Sequence, residues 1–248
     1  MASTKDNSSY TGLTSNLING KRYLYAANFT KGRIDVYDNT FHPVKLSRDN
    51  YGTSAFLSAE LPFDNEPFVD DHLPPNFVPF NVQAIGINVV VTYVLHQNGQ
   101  AFETDGPGLG YVNIYSSAGQ LLRRLEHGDW LNAPWGVCLA PLDFGRFSHD
   151  LLVGQFAGGG TTQSSGFVAA YDLATGKFDG LLQDASGKPI SINGIWSLSP
   201  ANVTPANADP DDEPAAQIYS TAGPNQATGG LFGYLTAVSA ELTQGNGQ

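Results

Sequence analysis

The loop at residues 96–105 carries three side chains that could hold a metal ion. His96, Glu103 and Asp105 stand shortly before Gly106-Pro-Gly108. Imidazole and carboxylate groups together suit a divalent cation, and carboxylate oxygens suit calcium in particular. The spacing matches no recognised metal motif, however, and it favours a solvated acidic loop. We therefore expect no cofactor, with a divalent cation such as Ca²⁺ as the alternative.

A second set of residues, three asparagines and two tryptophans, lies at or beside predicted strands and turns. Its members are Asn81, Trp135, Asn193, Trp196 and Asn225. Amide and indole groups could contact a ligand, and the asparagines could add oxygen donors to a metal site. The same asparagines could instead satisfy turn backbone groups, and the tryptophans could pack between sheets or form a platform for a sugar ring.

No catalytic set can be assembled from the sequence, so the catalytic residues are unknown. We find no Ser/His/Asp elbow, phosphate-binding Gly loop, dinucleotide fingerprint or Cys/His zinc spacing. His149 and Asp150 could pass for an acid/base pair because they are adjacent. Neighbouring residues on a strand point to opposite faces, however, which argues against such a pair. The single cysteine, Cys138, is expected to be a buried, inert thiol. It shares an apolar run after Pro134 with Trp135, and both side chains are expected to be buried at a blade interface.

The composition excludes several partners. The formal net charge is -11, which repels phosphate backbones and anionic membrane surfaces, so neither nucleic acid nor membrane is expected. No apolar run approaches membrane-spanning length, and the first nine residues lack the apolar core of an export signal. No stretch has a sustained helical period, and 28 Gly with 15 Pro suit many strands joined by turns.

A Gly-led strand recurs four times and defines the architecture. Its copies are GRIDVYD (32–38), GYVNIYS (110–116), GFVAAYD (166–172) and GLFGYLT (230–236). A β-rich run precedes each copy, and a candidate innermost strand precedes each run. The runs are expected at 23–28, 89–94, 151–155 and 217–222, and the innermost strands at 10–14, 80–85, 135–139 and 193–198. The sequence therefore predicts an all-β β-propeller with four blade-like, four-stranded antiparallel units.

We assign one propeller domain to residues 10–238, with a disordered N-terminus at 1–9 and a flexible tail at 239–248. The blades are expected at about 10–60, 79–126, 131–184 and 190–238. Two Pro-rich acidic segments interrupt them: His42 to Val78 is either a lid-like loop or an ordered wrap, and Ser199 to Ala215 is an exposed excursion.

Several strings together resemble a family of uncharacterised six-bladed β-propeller proteins, which are distant relatives of NHL-repeat and lactonase-like propellers. These strings are YLYAANFTKGRIDVYDNTF, GPGLGYVNIYSSAGQLLRRL, LNAPWGVCLAPLDFGRFSHDLLVGQF and STAGPNQATGGLFG. The resemblance implies that about two N-terminal blades are missing and that the protein is secreted. It implies no activity.

Two functions remain open. The first is a non-enzymatic propeller scaffold or binding module for a small molecule, a glycan or a protein, with its ligand at the channel mouth near the asparagines and tryptophans. The second is a divalent-metal-dependent hydrolase of the lactonase type, with its site at the propeller channel. The four units could close into a small four-bladed propeller. An open arc of a wider ring would instead leave apolar faces uncovered, and the chain is then expected either to self-associate through its terminal blades or to be marginally stable.

Overall fold

The computed structural model describes residues 6–50, 66–157, 166–201, 217–224 and 228–238. These residues form strands and turns, with two short 3₁₀ turns at Arg48–Asn50 and Gly145–Phe147. Within the described ranges, no helix is long and apolar enough to cross a membrane. The fold is all-β, of the β-propeller class, as the sequence predicts.

Blades 1 and 2 are four-stranded antiparallel sheets with strands in chain order. Blade 1 contains β1 (Tyr10–Ile18), β2 (Lys21–Asn28), β3 (Arg33–Asp38) and β4 (Pro43–Val44). Blade 2 contains β5 (Phe77–Ile85), β6 (Asn88–Leu95), β7 (Gly110–Ser116) and β8 (Leu121–Arg124).

Blade 3 is also four-stranded, whereas blade 4 has three strands among the described residues. Blade 3 contains β9 (Pro134–Leu139), β10 (Leu151–Gln155), β11 (Val168–Tyr171) and β12 (Phe178–Leu181). Blade 4 contains β13 (Ile195–Pro200), β14 (Gln217–Ala222) and β15 (Leu231–Thr236). The sequence predicts four strands in blade 4, and the described residues form three of them. The predicted tail at 239–248 lies outside the described residues.

The end of the repeated Gly-led strand caps the hairpin that follows it. The carboxylate of Asp38 accepts hydrogen bonds from the backbone of Thr40 and His42 in blade 1. Asp172 accepts from the Thr175 N–H in blade 3, and the Ser116 hydroxyl accepts from the Gln120 N–H in blade 2. Asp and Ser favour such turns because their short side chains reach nearby N–H groups. This capping accounts for the Asp or Ser that ends the first three copies of the motif, whereas the fourth copy ends in Thr236.

Every innermost strand carries a β-bulge near its start. The pairing register skips one residue in β1, β5, β9 and β13. The four skipped residues are Thr11, Phe80, Trp135 and Trp196. A bulge bends its strand and redirects the local side chains. The four bulges therefore give each blade the same starting geometry.

The chain divides into two compact units, with the boundary between Asp129 and Trp130. The first unit holds blades 1 and 2, and its core joins residues of both sheets, such as Tyr25, Val36, Val89 and Tyr115. The second unit holds blades 3 and 4, with a core that includes Leu152, Ala170, Leu198 and Ile218. In each unit the two innermost strands, β1 with β5 and β9 with β13, lie side by side.

The described end of the first long insertion is an ordered wrap. Phe68 is buried against the rings of Tyr25 and Tyr115, which belong to different blades. Nearby, the fully buried Asp70 carboxylate accepts hydrogen bonds from Arg124 and Asn113. Of the two alternatives for this insertion, residues 66–73 fit the wrap; residues 51–65 and the second acidic excursion at 202–216 lie outside the described part.

Candidate functional site

One end of each blade collects most of the residues singled out from the sequence. At this end the innermost strand begins and the second strand finishes. There the N–H following the second strand donates to the carbonyl just before the innermost strand. The pairs are Phe29 to Ser9, His96 to Asn76, Phe156 to Ala133 and Gly223 to Gly194. Three of the four donor residues carry rings, and the bonds hold the backbone from which these rings project.

Asn81 sits one residue past the bulge of β5 and is buried. Its backbone N–H donates to the Thr92 hydroxyl at 3.0 Å. Blade 4 repeats this device, because the Ser197 N–H donates to the Thr221 hydroxyl at 3.2 Å. The side chain of Asn81 lies against Gly12 of the neighbouring β1. Asn81 therefore has a packing position between two blades, and its role toward a ligand stays a prediction.

Trp135 and Trp196 occupy the bulge positions of β9 and β13 and touch each other. Their ring centroids are 5.4 Å apart with an interplanar angle of 86°, an edge-to-face contact. Phe156 packs on Trp196 at 4.3 Å. All three side chains are half-buried, whereas the sequence predicts a fully buried Trp135. The bulge accounts for the difference, because it turns the side chain out of the regular alternation of β9.

Asn193 borders the same end of blade 4. Asn193 is exposed in the turn that precedes β13, whereas the sequence predicts that it opens this strand, which begins two residues later at Ile195. Gly194, which follows it, has φ +70° and packs on the backbone of Gly223, so the turn requires glycine there. Asn225 lies outside the described residues. The structure thus places Asn193 on a solvent-facing turn, three residues before Trp196.

The three predicted metal ligands are partly engaged elsewhere. The His96 ring packs on Phe29 at 4.3 Å, and its Nε2 lies 3.0 Å from the Gln100 carbonyl oxygen. Burial and then the charge of Asp105 raise the pKa of Glu103, partly offset by a backbone hydrogen bond and His96. Across the described ranges, no three His, Cys, Asp or Glu residues are grouped so that they could hold a metal. The metal set of His96, Glu103 and Asp105 therefore stays a prediction.

A polar network around Asp35 at the same end of blade 1 was missed by sequence reasoning. The carboxylate accepts hydrogen bonds from Tyr10, Asn28 and Arg33 at 2.6 to 2.8 Å. Burial raises the pKa of Asp35, but these hydrogen bonds outweigh it, and the pKa falls below its ordinary value. The strand register pairs Asn28 with Arg33. A β2–β3 hairpin read from the sequence could have placed Asn28 beside Arg33. It could not have predicted the contact with Tyr10, which lies 25 residues before Asp35.

A cluster of carboxylates at the outer part of blade 3 was also missed. Asp150 lies just before β10, Asp179 in β12 and Asp172 just after β11. Burial, followed by the negative charges of Asp179 and Asp172, raises the pKa of Asp150 to about 7, with Arg146 opposing the rise. His149 next to it is exposed, with φ +68°. The cluster makes Asp150 sensitive to pH near neutrality.

Comparison with known proteins finds relatives of unassigned function. No protein-family model matches the chain. Uncharacterized protein R640 of Acanthamoeba polyphaga mimivirus is 32% identical over 205 residues, which are 81% of this chain and 34% of that protein. Uncharacterized protein L690 of the same virus is 27% identical over 217 residues, 86% of this chain and 48% of that protein. The chain therefore spans about a third to a half of the length of the curated relatives it matches.

Solved structures show only distant similarity. Virginiamycin B lyase from Staphylococcus aureus has a TM-score of 0.40 and 10% identity, covering 94% of this chain and 71% of that one. A GH43_1 enzyme from Xanthomonas citri has a TM-score of 0.41 and 9% identity, covering 92% and 71%. Similarity at this level says nothing about activity or ligand.

Proposed function

We propose that the protein is a β-propeller binding module that recognises a glycan through the aromatic cluster of Trp135, Phe156 and Trp196. Membership of the six-bladed family that the sequence resembles is part of this proposal. The supporting observation is that two tryptophans stand at the bulges of adjacent innermost strands, with perpendicular rings and a phenylalanine beside them.

The chemistry of the cluster favours a ligand that has both an apolar face and polar edges. The three rings are only half-buried, so part of their surface stays open to solvent. An aromatic ring offers a large, rigid contact area at a small cost in conformational entropy. A sugar ring has C–H groups that stack on such a surface and hydroxyls that need polar partners. The exposed Asn193, in the turn before β13, supplies amide groups of the required kind.

The edge-to-face contact also contributes to packing between blades 3 and 4, and the two roles are compatible. An indole that is clamped along one edge keeps a fixed orientation, which reduces the entropy lost on binding. The third tryptophan differs from this pair. Trp130 stacks on Phe178 at 3.9 Å and donates its Nε1–H to the Tyr171 hydroxyl, within blade 3.

Screening the labelled protein on a glycan array, followed by calorimetric titration of any sugar that binds, tests the proposal. Trp135→Ala and Trp196→Ala should each weaken binding by at least about tenfold, the effect of losing one stacked aromatic anchor. Phe102→Ala removes an exposed ring elsewhere and is the matched control, with unchanged affinity expected.

Thermal unfolding of the same variants separates binding from folding. If no sugar on the array binds, the glycan assignment is wrong. If both Trp variants bind the sugar with wild-type affinity, the proposed site is wrong. Metal-dependent hydrolysis of a lactone, lost in Glu103→Gln, would support the lactonase-type hydrolase instead.

A further inference from the structure

The position two residues past each bulge identifies an open sheet face on blade 1. It is occupied by Leu13, Val82, Val137 and Leu198 in blades 1 to 4. The last three are buried, but Leu13 is 61% exposed. We call the face that carries this position the leading face of a blade. On blade 1 it also bears Leu17, which is exposed, and Leu24 and Tyr37, which are half-buried.

Blade 4 is open on the opposite face. We call the face that carries the residue one past the bulge the trailing face. On the third strand of each blade, the first residue on this face is Ile34, Val112, Val168 and Phe232 in blades 1 to 4. The first three are buried, whereas Phe232 is 71% exposed. Next along the strand, Val36, Ile114 and Ala170 are buried, whereas Tyr234 is 59% exposed.

These two open faces are of the kinds that pack together inside the chain. In the first unit, the trailing face of blade 1 with Ile34 and Val36 packs on the leading face of blade 2 with Val82 and Val89. In the second unit, the trailing face of blade 3 packs in the same way on the leading face of blade 4, through residues including Leu152, Ala170, Leu198 and Ile218. The same kind of blade-to-blade interface thus occurs once in each unit. Each open face corresponds to one of the two surfaces that form this interface.

The open trailing face of blade 4 is ordered before any partner arrives. Tyr219 and Phe232 stack with centroids 5.7 Å apart and planes inclined by 11°, and Tyr234 meets Tyr219 edge-on. Aromatic residues of this kind are the usual energetic centres of protein interfaces. None of the three carries a charge whose burial would oppose association.

We propose that the trailing face of blade 4 binds the leading face of blade 1 of a second copy of this chain, head to tail. The contact places Phe232 and Tyr234 against Leu13 and Leu17 and continues the blade-to-blade packing across two molecules. Because the two surfaces differ, the interface is heterologous, and it builds a ring where the rotation closes or an open chain where it does not.

The test measures molar mass by light scattering and sedimentation over roughly a hundredfold range of concentration, since association follows mass action. The wild-type chain should form dimers or larger species. Leu13→Lys and Phe232→Lys should each raise the dissociation constant at least about tenfold, since each places a charge at an anchor position. Leu142→Lys, which alters an exposed leucine on neither face, is the control and should associate as the wild type does.

Mixing the two lysine variants gives the decisive result. Leu13→Lys keeps an intact trailing face and Phe232→Lys keeps an intact leading face, so the mixture should form a one-to-one dimer and nothing larger. All three substituted side chains are exposed, and thermal unfolding of each variant checks that it folds. A wild-type chain that is monomeric throughout, or a mixture that stays monomeric while the wild type associates, overturns the proposal.

Discussion

The backbone of Gly136 lies so close to Trp196 that a Cβ atom on Gly136 would stand 2.9 Å from the Trp196 carbonyl oxygen. The same relationship exists in the first unit, where a Cβ on Gly12 would stand 2.8 Å from the Asn81 Cα. Both glycines lie one residue past a bulge, and both face the innermost strand of the next blade. Glycine at these two positions is therefore what allows paired innermost strands to approach each other.

Gly136→Ala and Gly12→Ala should each destabilise the protein by about 2 kcal/mol or more, since the clash is with backbone atoms that cannot turn away. Urea unfolding followed by circular dichroism measures the loss. Gly230→Ala is the matched control, because a Cβ there would meet nothing within 4 Å. Equal stability of the Gly136 and Gly230 variants would contradict this account of the strand approach.

Strand order and the positions of most strands follow from the sequence, since a strand with unlike neighbours on its two faces has a period that local residues reveal. The predicted runs at 110–116, 151–155 and 217–222 coincide with β7, β10 and β14. The bulges could not be predicted in this way, because a bulge exists only in the pairing between two strands. Asp70 and Arg124 were missed for the same reason, since their contact joins residues 54 positions apart.

The candidate site was predictable in its residue types but not in its contacts. The sequence singles out Trp135 and Trp196, and both lie near the start of an innermost strand. Nothing in the sequence places their rings against each other, because that contact depends on how blades 3 and 4 pack. Phe156 was missed, although the aromatic residue that follows a second strand recurs at Phe29.

Arg124→Met should lower the free energy of unfolding by about 3 kcal/mol, the usual cost of leaving a buried charge without its partner. The Asp70 side chain is fully buried and receives the Arg124 guanidinium through two nitrogens. Arg123→Met, one residue earlier on β8, is the control and should cost less than about 1 kcal/mol. Chemical denaturation of both variants provides the comparison, and similar losses would show that the Asp70 contact contributes little.

Calcium should leave the thermal stability of the protein unchanged, since His96 of the predicted metal set already packs on Phe29 and lies beside the Gln100 carbonyl. Scanning calorimetry in EDTA and in excess CaCl₂ checks this, with metal analysis of the purified protein alongside. A melting temperature that rises with Ca²⁺, and that no longer rises in Glu103→Gln, would establish the metal site.

The Cys138 thiol should react slowly with a bulky disulfide reagent in the native protein. It is buried, and burial raises its pKa to about 12, so little reactive thiolate forms near neutral pH. Denaturant should remove both obstacles and give fast reaction. The measurement is the absorbance of the released thiolate with and without guanidinium, and fast labelling of the folded chain would contradict burial at the core between blades 3 and 4.

The Asp150 carboxyl should make the protein less stable as the pH rises from about 4 to about 7. Its folded pKa is raised from the ordinary value of an aspartate to about 7, first by burial and then by Asp179 and Asp172. The folded state therefore binds a proton that the unfolded state has already lost over this range, and stability falls with increasing pH.

Asp150→Asn removes the charge, so it should stabilise the protein at pH 8 by about 1 to 2 kcal/mol, a value reduced for partial solvent access. At pH 4 the variant and the wild type should differ little. Urea denaturation at both pH values measures the difference, with Asp143→Asn, an exposed aspartate in the preceding loop, as the control. A stabilisation by Asp150→Asn that is equal at pH 4 and pH 8 would show that the titration of this carboxyl is not its cause.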